Sequence, residues 1–189
     1  MNLIRFWQLI FLPQSKSATT DQKPSVKEVF FAYILPLSLI TPVMLSYVAK
    51  HYPKLFLDKL PTDRLFLVGL AMYVMQIISV PIMALILKNL GAMVNIKPTF
   101  RDSFLIIAYA AVPAFIISIF YVIPSFTINL AMHGIAALAG CLIIYKGIKN
   151  IFGLQSRGAR FMLTLATVAT AATGFGVVLV ATLIFWEKA

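Results

Sequence analysis

The sequence predicts an all-α fold: a membrane-embedded helical bundle with five transmembrane helices and an N-terminal amphipathic helix at the interface. Three observations carry this. Of 189 residues, 61% are hydrophobic and only 12% charged, where a soluble domain has about a quarter charged. The charges crowd between long apolar stretches rather than spreading along them. Those stretches also have the length of about 20 residues that a helix needs to cross roughly 30 Å of hydrocarbon. The chain divides into a cytoplasmic segment, residues 1–28, and one membrane domain, residues 29–189.

The first element, MNLIRFWQLIFLP, is too short to cross a bilayer, and no small-residue cleavage site follows it. Asn2, Arg5 and Gln8 recur every third residue, while Phe6, Trp7, Phe11 and leucines cover the rest of the surface. That pattern suits a helix lying among headgroups and ended by Pro13, or equally one packed on the other spans. The polar stretch Gln14–Ser25 reads as a flexible link.

The spans follow at 29–49, 65–87, 104–123, 126–145 and 161–186. Phe104 to Tyr145 is too long for one crossing, and Pro124 with Ser125 divides it. A proline there interrupts the hydrogen-bond ladder and permits a tight helical hairpin. Pro113, the tenth residue of the third span, has no N–H to offer the Tyr109 carbonyl and predicts a static kink. Ala108, Ala110, Ala111 and Ala114 around it leave room for another helix.

The formal net charge is +10, but the sixteen Lys and Arg residues flank apolar runs instead of forming an aromatic-interleaved basic face. That placement argues against nucleic acid and for anionic lipid headgroups as the partner of the charge. With five spans, Arg5, Lys16, Lys23, Lys27, Lys88, Lys97, Arg101, Lys146, Lys149, Arg157 and Arg160 share one side. Lys50, Lys54, Lys59, Arg64 and Lys188 share the other. The excess places the N-terminus in the cytoplasm and the C-terminus outside. The Lys50–Arg64 loop dissents mildly, with four basic residues of its own.

Chemistry in a bilayer usually shows as ionisable residues at membrane depth. The six acids, Asp21, Glu28, Asp58, Asp63, Asp102 and Glu187, all lie outside the span interiors. His51 and His133 stand alone, and the one cysteine, Cys141, sits in an apolar run without a disulfide partner. We therefore expect no catalytic residues, no metal and no cofactor.

The neutral polar residues are the intramembrane candidates. Asn129 and His133 are spaced i, i+4, with Ala136 and Gly140 continuing the stripe, and Gln76 shares a face with Ser79. They would line a polar groove with His133 as a pH-sensitive group, or bond between helices that small residues bring close. The second reading needs fewer assumptions. On the fifth span, Ala166, Thr170 and Gly174 form a small-residue seam suited to helix association or dimerisation. The loop Lys146–Arg160, KGIKNIFGLQSRGAR, offers Lys146, Lys149, Arg157 and Arg160 to lipid headgroups. It lacks the glycine and lysine spacing of a nucleotide-binding loop.

The third-span AYAAVPAF, the hairpin after it, and Tyr145 with Gly147 ahead of SRGARF together resemble the Yip family, five-pass proteins named for interaction with Ypt/Rab GTPases. The length and the early FWQLIFLP are similar to its small bacterial inner-membrane branch. The resemblance implies a helical bundle with a cytoplasmic N-terminus, a link to membrane shaping and trafficking in eukaryotic relatives, and no cofactor. A bacterium has no Rab pathway, so that partner is not carried over.

The function expected is thus a non-enzymatic integral membrane protein, acting as an adaptor, assembly or membrane-organising factor. Its partners would be lipid and other membrane proteins or a second copy. A small transporter or channel is the alternative, motivated by Pro36, Pro42, Pro81, Pro113, Gln76 and His133. A membrane enzyme, with only His133 and the basic loop behind it, is the third.

Overall fold

Ser25 and Glu28 open the first helix with a reciprocal cap. Ser25 Oγ accepts from the Glu28 N–H at 3.1 Å, and the Ser25 N–H donates to Glu28 Oε2 at 2.8 Å. The computed structural model describes residues 24–52 and 62–188, with backbone only at 49, 62–66, 175 and 177–188. The expected interfacial helix at 1–13, the link as far as residue 23 and residues 53–61 lie outside the described residues.

The cap starts helix α1 at Val26, three residues before the predicted span. The first crossing is then segmented: α1 (Val26–Val29), a π-helical turn (Phe30–Ile34), α2 (Leu35–Ser38) and α3 (Ile40–His51). Two prolines explain the segments. Next to Pro36 the backbone shifts to a wider pattern, with the Leu35 N–H bonded to the Phe30 carbonyl five residues back. Pro42 has no N–H to give Ser38, and at Leu39 the N–H falls back three residues to the Pro36 carbonyl at 3.3 Å.

Helix α4 (Thr62–Met93) passes Pro81 unbroken. It closes where the Ile96 N–H reaches the Gly91 carbonyl at 3.1 Å and Asn95 adopts φ 59°, a left-handed cap. Thr99, accepting from the Asp102 N–H at 3.1 Å, starts α5 (Phe100–Ile117), which stays helical through Pro113. A 3₁₀ turn, Ser118–Val122, tightens its end. Ile123 is extended, and Ser125 caps α6 (Phe126–Asn150), so the Pro124–Ser125 link forms the turn of the hairpin. Helix α7 (Arg157–Lys188) completes the described chain.

Every described element is helical, and four stretches are long and apolar enough to cross a membrane: Val26–Val48, Leu67–Met93, Phe100–Val122 and Phe126–Asn150. The chain is a multi-pass membrane protein. One boundary corrects the sequence reading: Lys146 and Lys149 lie on the last turns of α6, not in a loop, and Arg157 and Arg160 lie on the first turn of α7. Only residues 151–156 link the two helices, because Gly153 at φ 72° and the Ser156 cap turn the chain sharply.

Helix α5 is the central strut. Some 44% of its apolar window is buried, against 17–22% for the other three crossings. Phe104, Leu105 and Ile106 share one buried cluster with Val29 and Ile34 of the first crossing, Leu87 of α4, Ile148 of α6 and Leu163 of α7. Phe30 and Phe100 pack tilted against Phe104, with ring centroids 6.4 and 5.9 Å away. Leu67, Leu130, Leu138 and Phe161 point outward, each at least 60% exposed. An outward apolar shell is what hydrocarbon solvates without cost.

The core gathers at one end of the bundle, where the first crossing, α5 and α7 begin and α4 and α6 finish. At the other end, α3, α4, the 3₁₀ turn and the start of α6 part around a groove of about 280 Å³.

Candidate functional site

The groove end carries two chains of hydrogen bonds. In the first, Gln76 Nε2 on α4 donates to Thr41 Oγ1 on α3 at 3.0 Å, and Thr41 Oγ1 lies 3.0 Å from Ser118 Oγ. Ser118 Oγ also donates to the Ala114 carbonyl at 3.3 Å. That last bond uses the Ser118 proton, so Thr41 donates to Ser118. The direction is set throughout: Gln76 to Thr41 to Ser118 to the backbone, tying α4 and α3 to the end of α5. Thr41 and Ser118 are buried, and Gln76 Oε1 is buried with no hydrogen-bond partner. Ser79 bonds its own helix at the Gln76 carbonyl, 2.9 Å away.

In the second chain, His133 Nδ1 lies 2.8 Å from the Asn129 carbonyl, which can only accept, so Nδ1 carries the proton. The neutral tautomer then presents Nε2 to the Tyr121 hydroxyl, which donates across 3.1 Å. The two rings stack at 11° with centroids 5.4 Å apart. Asn129 Nδ2 donates to the Ile123 carbonyl at 3.0 Å, holding the hairpin link onto α6, while its Oδ1 is buried without a partner. Thr41, Tyr121, Asn129 and His133 line the groove, with Leu45, Val48, Met72, Phe126 and Leu130 as its apolar walls.

Further along α6 the stripe becomes a packing seam. A Cβ on Gly140 would stand 3.0 Å from the Ala110 carbonyl oxygen, and one on Gly147 would stand 2.9 Å from Ile106 Cγ1. Ala136 is buried in the same seam. The alanines around Pro113 thus receive Gly140, which approaches one turn before the proline. Gly174 on α7 differs, since nothing lies within 4 Å of its Cβ position.

The opposite end is basic. Lys146, Lys149 and Arg157 are exposed. Arg160 is 6% exposed, its guanidinium lies over the Tyr145 ring at 4.8 Å, and its Nε has no hydrogen-bond partner. Arg101 Nε donates to the Pro24 carbonyl at 3.1 Å, fixing the entry to the first crossing.

Both ends fall within residues 7–186, which match the family model described as the Yip1 domain. The chain belongs to the Yip1 domain family. No curated protein and no solved structure matches it.

Within this Yip1 domain, the sequence-predicted intramembrane residues other than Gly174 separate into three places. Gln76 belongs to the α4–α3 chain, Asn129 and His133 to the groove, and Pro113 and Gly140 to the α5–α6 seam. Thr41, Ser118 and Tyr121 were not among the predicted candidates. A hydroxyl in a span most often bonds its own helix, as Thr164 and Thr167 do with the Arg160 and Leu163 carbonyls. Residue type therefore does not reveal which hydroxyls reach across. Tyr121 had a usable signal: it sits on the last turn before the Pro124 link, where folding back onto α6 brings it to His133.

Proposed function

We propose that this Yip1 domain protein is a non-catalytic organiser of the membrane, working through lateral helix packing with a partner membrane protein or a second copy. In this reading α7 crosses as a fifth span, the N-terminus is cytoplasmic, the C-terminus is outside, and the membrane is a bacterial inner membrane. The carrying observation is how the polar groups at membrane depth are used. Gln76, Thr41 and Ser118 bond one another, and Tyr121, His133 and Asn129 close the hairpin. Such bonds join helices, and among the described residues they involve no charged group.

The contact surface we assign is the seam Ala166, Thr170 and Gly174. Thr170 already donates to the Ala166 carbonyl at 2.8 Å, so the seam presents small groups and no unmet donor. A second helix would approach Gly174 closely. The test is cysteine crosslinking in membranes, with Gly174→Cys in a Cys141→Ser background. A specific homodimeric or heteromeric adduct is expected. A protein that stays solitary at every position along the seam overturns the reading.

One observation favours transport as a second reading: the groove presents Asn129, His133 and Tyr121 to a space of about 280 Å³. Purified protein in liposomes would then pass a solute, with flux changed by His133→Ala.

A further inference from the structure

We propose that Arg160 anchors a binding site for the phosphate of an anionic lipid headgroup, set between the end of α6 and the start of α7. Arg160 is 94% buried by its 6% exposure, yet its Nε donates to nothing. A buried cation without a counter-charge is unfavourable enough that proteins rarely keep one, so an anion from outside the chain is the simplest completion.

Among the described residues no acidic side chain pairs with Arg160. Between Asp102 and Glu187 the sequence contains neither Asp nor Glu. The acidic side chains described at this end are held elsewhere: Glu28 accepts from the Ser25 N–H, and Asp102 Oδ2 accepts from Thr99 Oγ1. Tyr145 supports the flat face of the guanidinium at 4.8 Å, which steadies it but meets none of its in-plane donors. Those edge N–H groups form the fork that matches phosphate oxygens.

The surroundings suit the same ligand. Arg160 is on the first turn of α7, whose early amides carry partial positive charge. Ser156 Oγ takes the Ala159 N–H, and the Arg160 N–H goes to the Ser156 carbonyl, leaving those of Arg157 and Gly158 for a ligand. Nothing lies within 4 Å of a Cβ position on Gly158, so the backbone there is open to approach. Lys149 and Arg157 are exposed on the two flanking helix ends. Helix ends of this kind meet the bilayer at headgroup depth, where lipid phosphate is the concentrated anion.

The site deepens the membrane-organising reading and rests on α6 and α7 both reaching the headgroups, but not on the Gly174 seam. Its test is therefore separate from crosslinking. Full-length protein, stripped of native lipid in neutral detergent, is titrated with phosphatidylglycerol, phosphatidylcholine or inorganic phosphate while the thermal midpoint is followed. Phosphatidylglycerol should raise the wild-type midpoint at least tenfold more potently than phosphatidylcholine. A response to inorganic phosphate alone would reassign the ligand to free phosphate and overturn the lipid proposal.

Arg160→Met should abolish the phosphatidylglycerol response. Without lipid it should melt at or above the wild-type temperature, because an uncompensated buried charge has gone. If Arg160→Met lowers the midpoint equally in every lipid, Arg160 is an internal structural group and the site does not exist. If Arg160→Met does not fold, Arg160→Lys decides. Keeping the charge and losing the fork, it should respond about tenfold more weakly than wild type, and an unchanged response overturns the proposal.

Discussion

The carbonyl oxygen of Ala110 lies 3.0 Å from the point where a Cβ on Gly140 would stand. A side chain there would be tighter than ordinary contact, and the neighbour is backbone, which cannot rotate away. Gly140 thus sets how closely α6 approaches the central helix, one turn from Pro113. Gly147, under Ile106, holds the same spacing two turns further along.

This predicts opposite signs for the same substitution at two glycines of one helix. Gly140→Ala should cost about 1–3 kcal/mol, as overpacking does. Gly134→Ala, with nothing within 4 Å of its Cβ, should be neutral or gain up to about 1 kcal/mol from helix propensity. Reversible unfolding in mixed micelles checks both, and equal effects at the two sites would contradict the seam.

Tyr121 and His133 should be energetically coupled. A double-mutant cycle of Tyr121→Phe and His133→Leu isolates their hydrogen bond from other contacts of either ring. Interhelical bonds of this kind average about 0.6 kcal/mol and reach about 1.7 kcal/mol. A coupling in that range is expected. Strict additivity would mean the stacked pair contributes only shape.

The helices and the Pro124 hairpin were legible because hydrocarbon imposes a length on apolar runs and proline interrupts a ladder wherever it falls. The helix starts carry a signal that the sequence reading does not use: Ser25-x-x-Glu28 and Thr99-x-x-Asp102 are capping patterns, and they begin the helices three to four residues ahead of the expected spans. The cross-helix partners of Gln76 and His133 were not legible. Thr41 lies 35 residues from Gln76 and 77 from Ser118, so only the packing of α3 against α4 and the 3₁₀ turn brings them together. Arg160 illustrates the same limit. The sequence groups its charge with Lys146, Lys149 and Arg157, and only the structure shows that Arg160 is buried against Tyr145 while the other three are exposed.

The Ser25 cap should be worth about 1 kcal/mol, so Ser25→Ala should lower stability by that amount. Ser25→Asp restores an acceptor but sets a second carboxylate beside Glu28, so part of the loss should persist at low ionic strength and shrink in salt. Thermal unfolding at two salt concentrations checks this. Full recovery by aspartate at low salt would show that the two carboxylates do not repel across the cap.

The polar chain at the groove makes its sharpest prediction at the residue that sequence reading passed over. Gln76 begins the chain and brings with it an amide oxygen that is buried and unpartnered, a liability of about 1–3 kcal/mol. Gln76→Leu removes one hydrogen bond and that liability together, leaving Thr41 still donating to Ser118, so its net effect should lie within about 1 kcal/mol of zero. Thr41→Val breaks two bonds at once. It strands the Gln76 amide and takes the Thr41 donor from Ser118, so it should cost about 2 kcal/mol or more although its shape is conserved. In the double variant the stranded amide is absent, and stability should recover toward that of Gln76→Leu alone. Unfolding of the three variants in one micelle system decides it. A threonine substitution milder than the glutamine one would mean that Gln76 does not donate to Thr41.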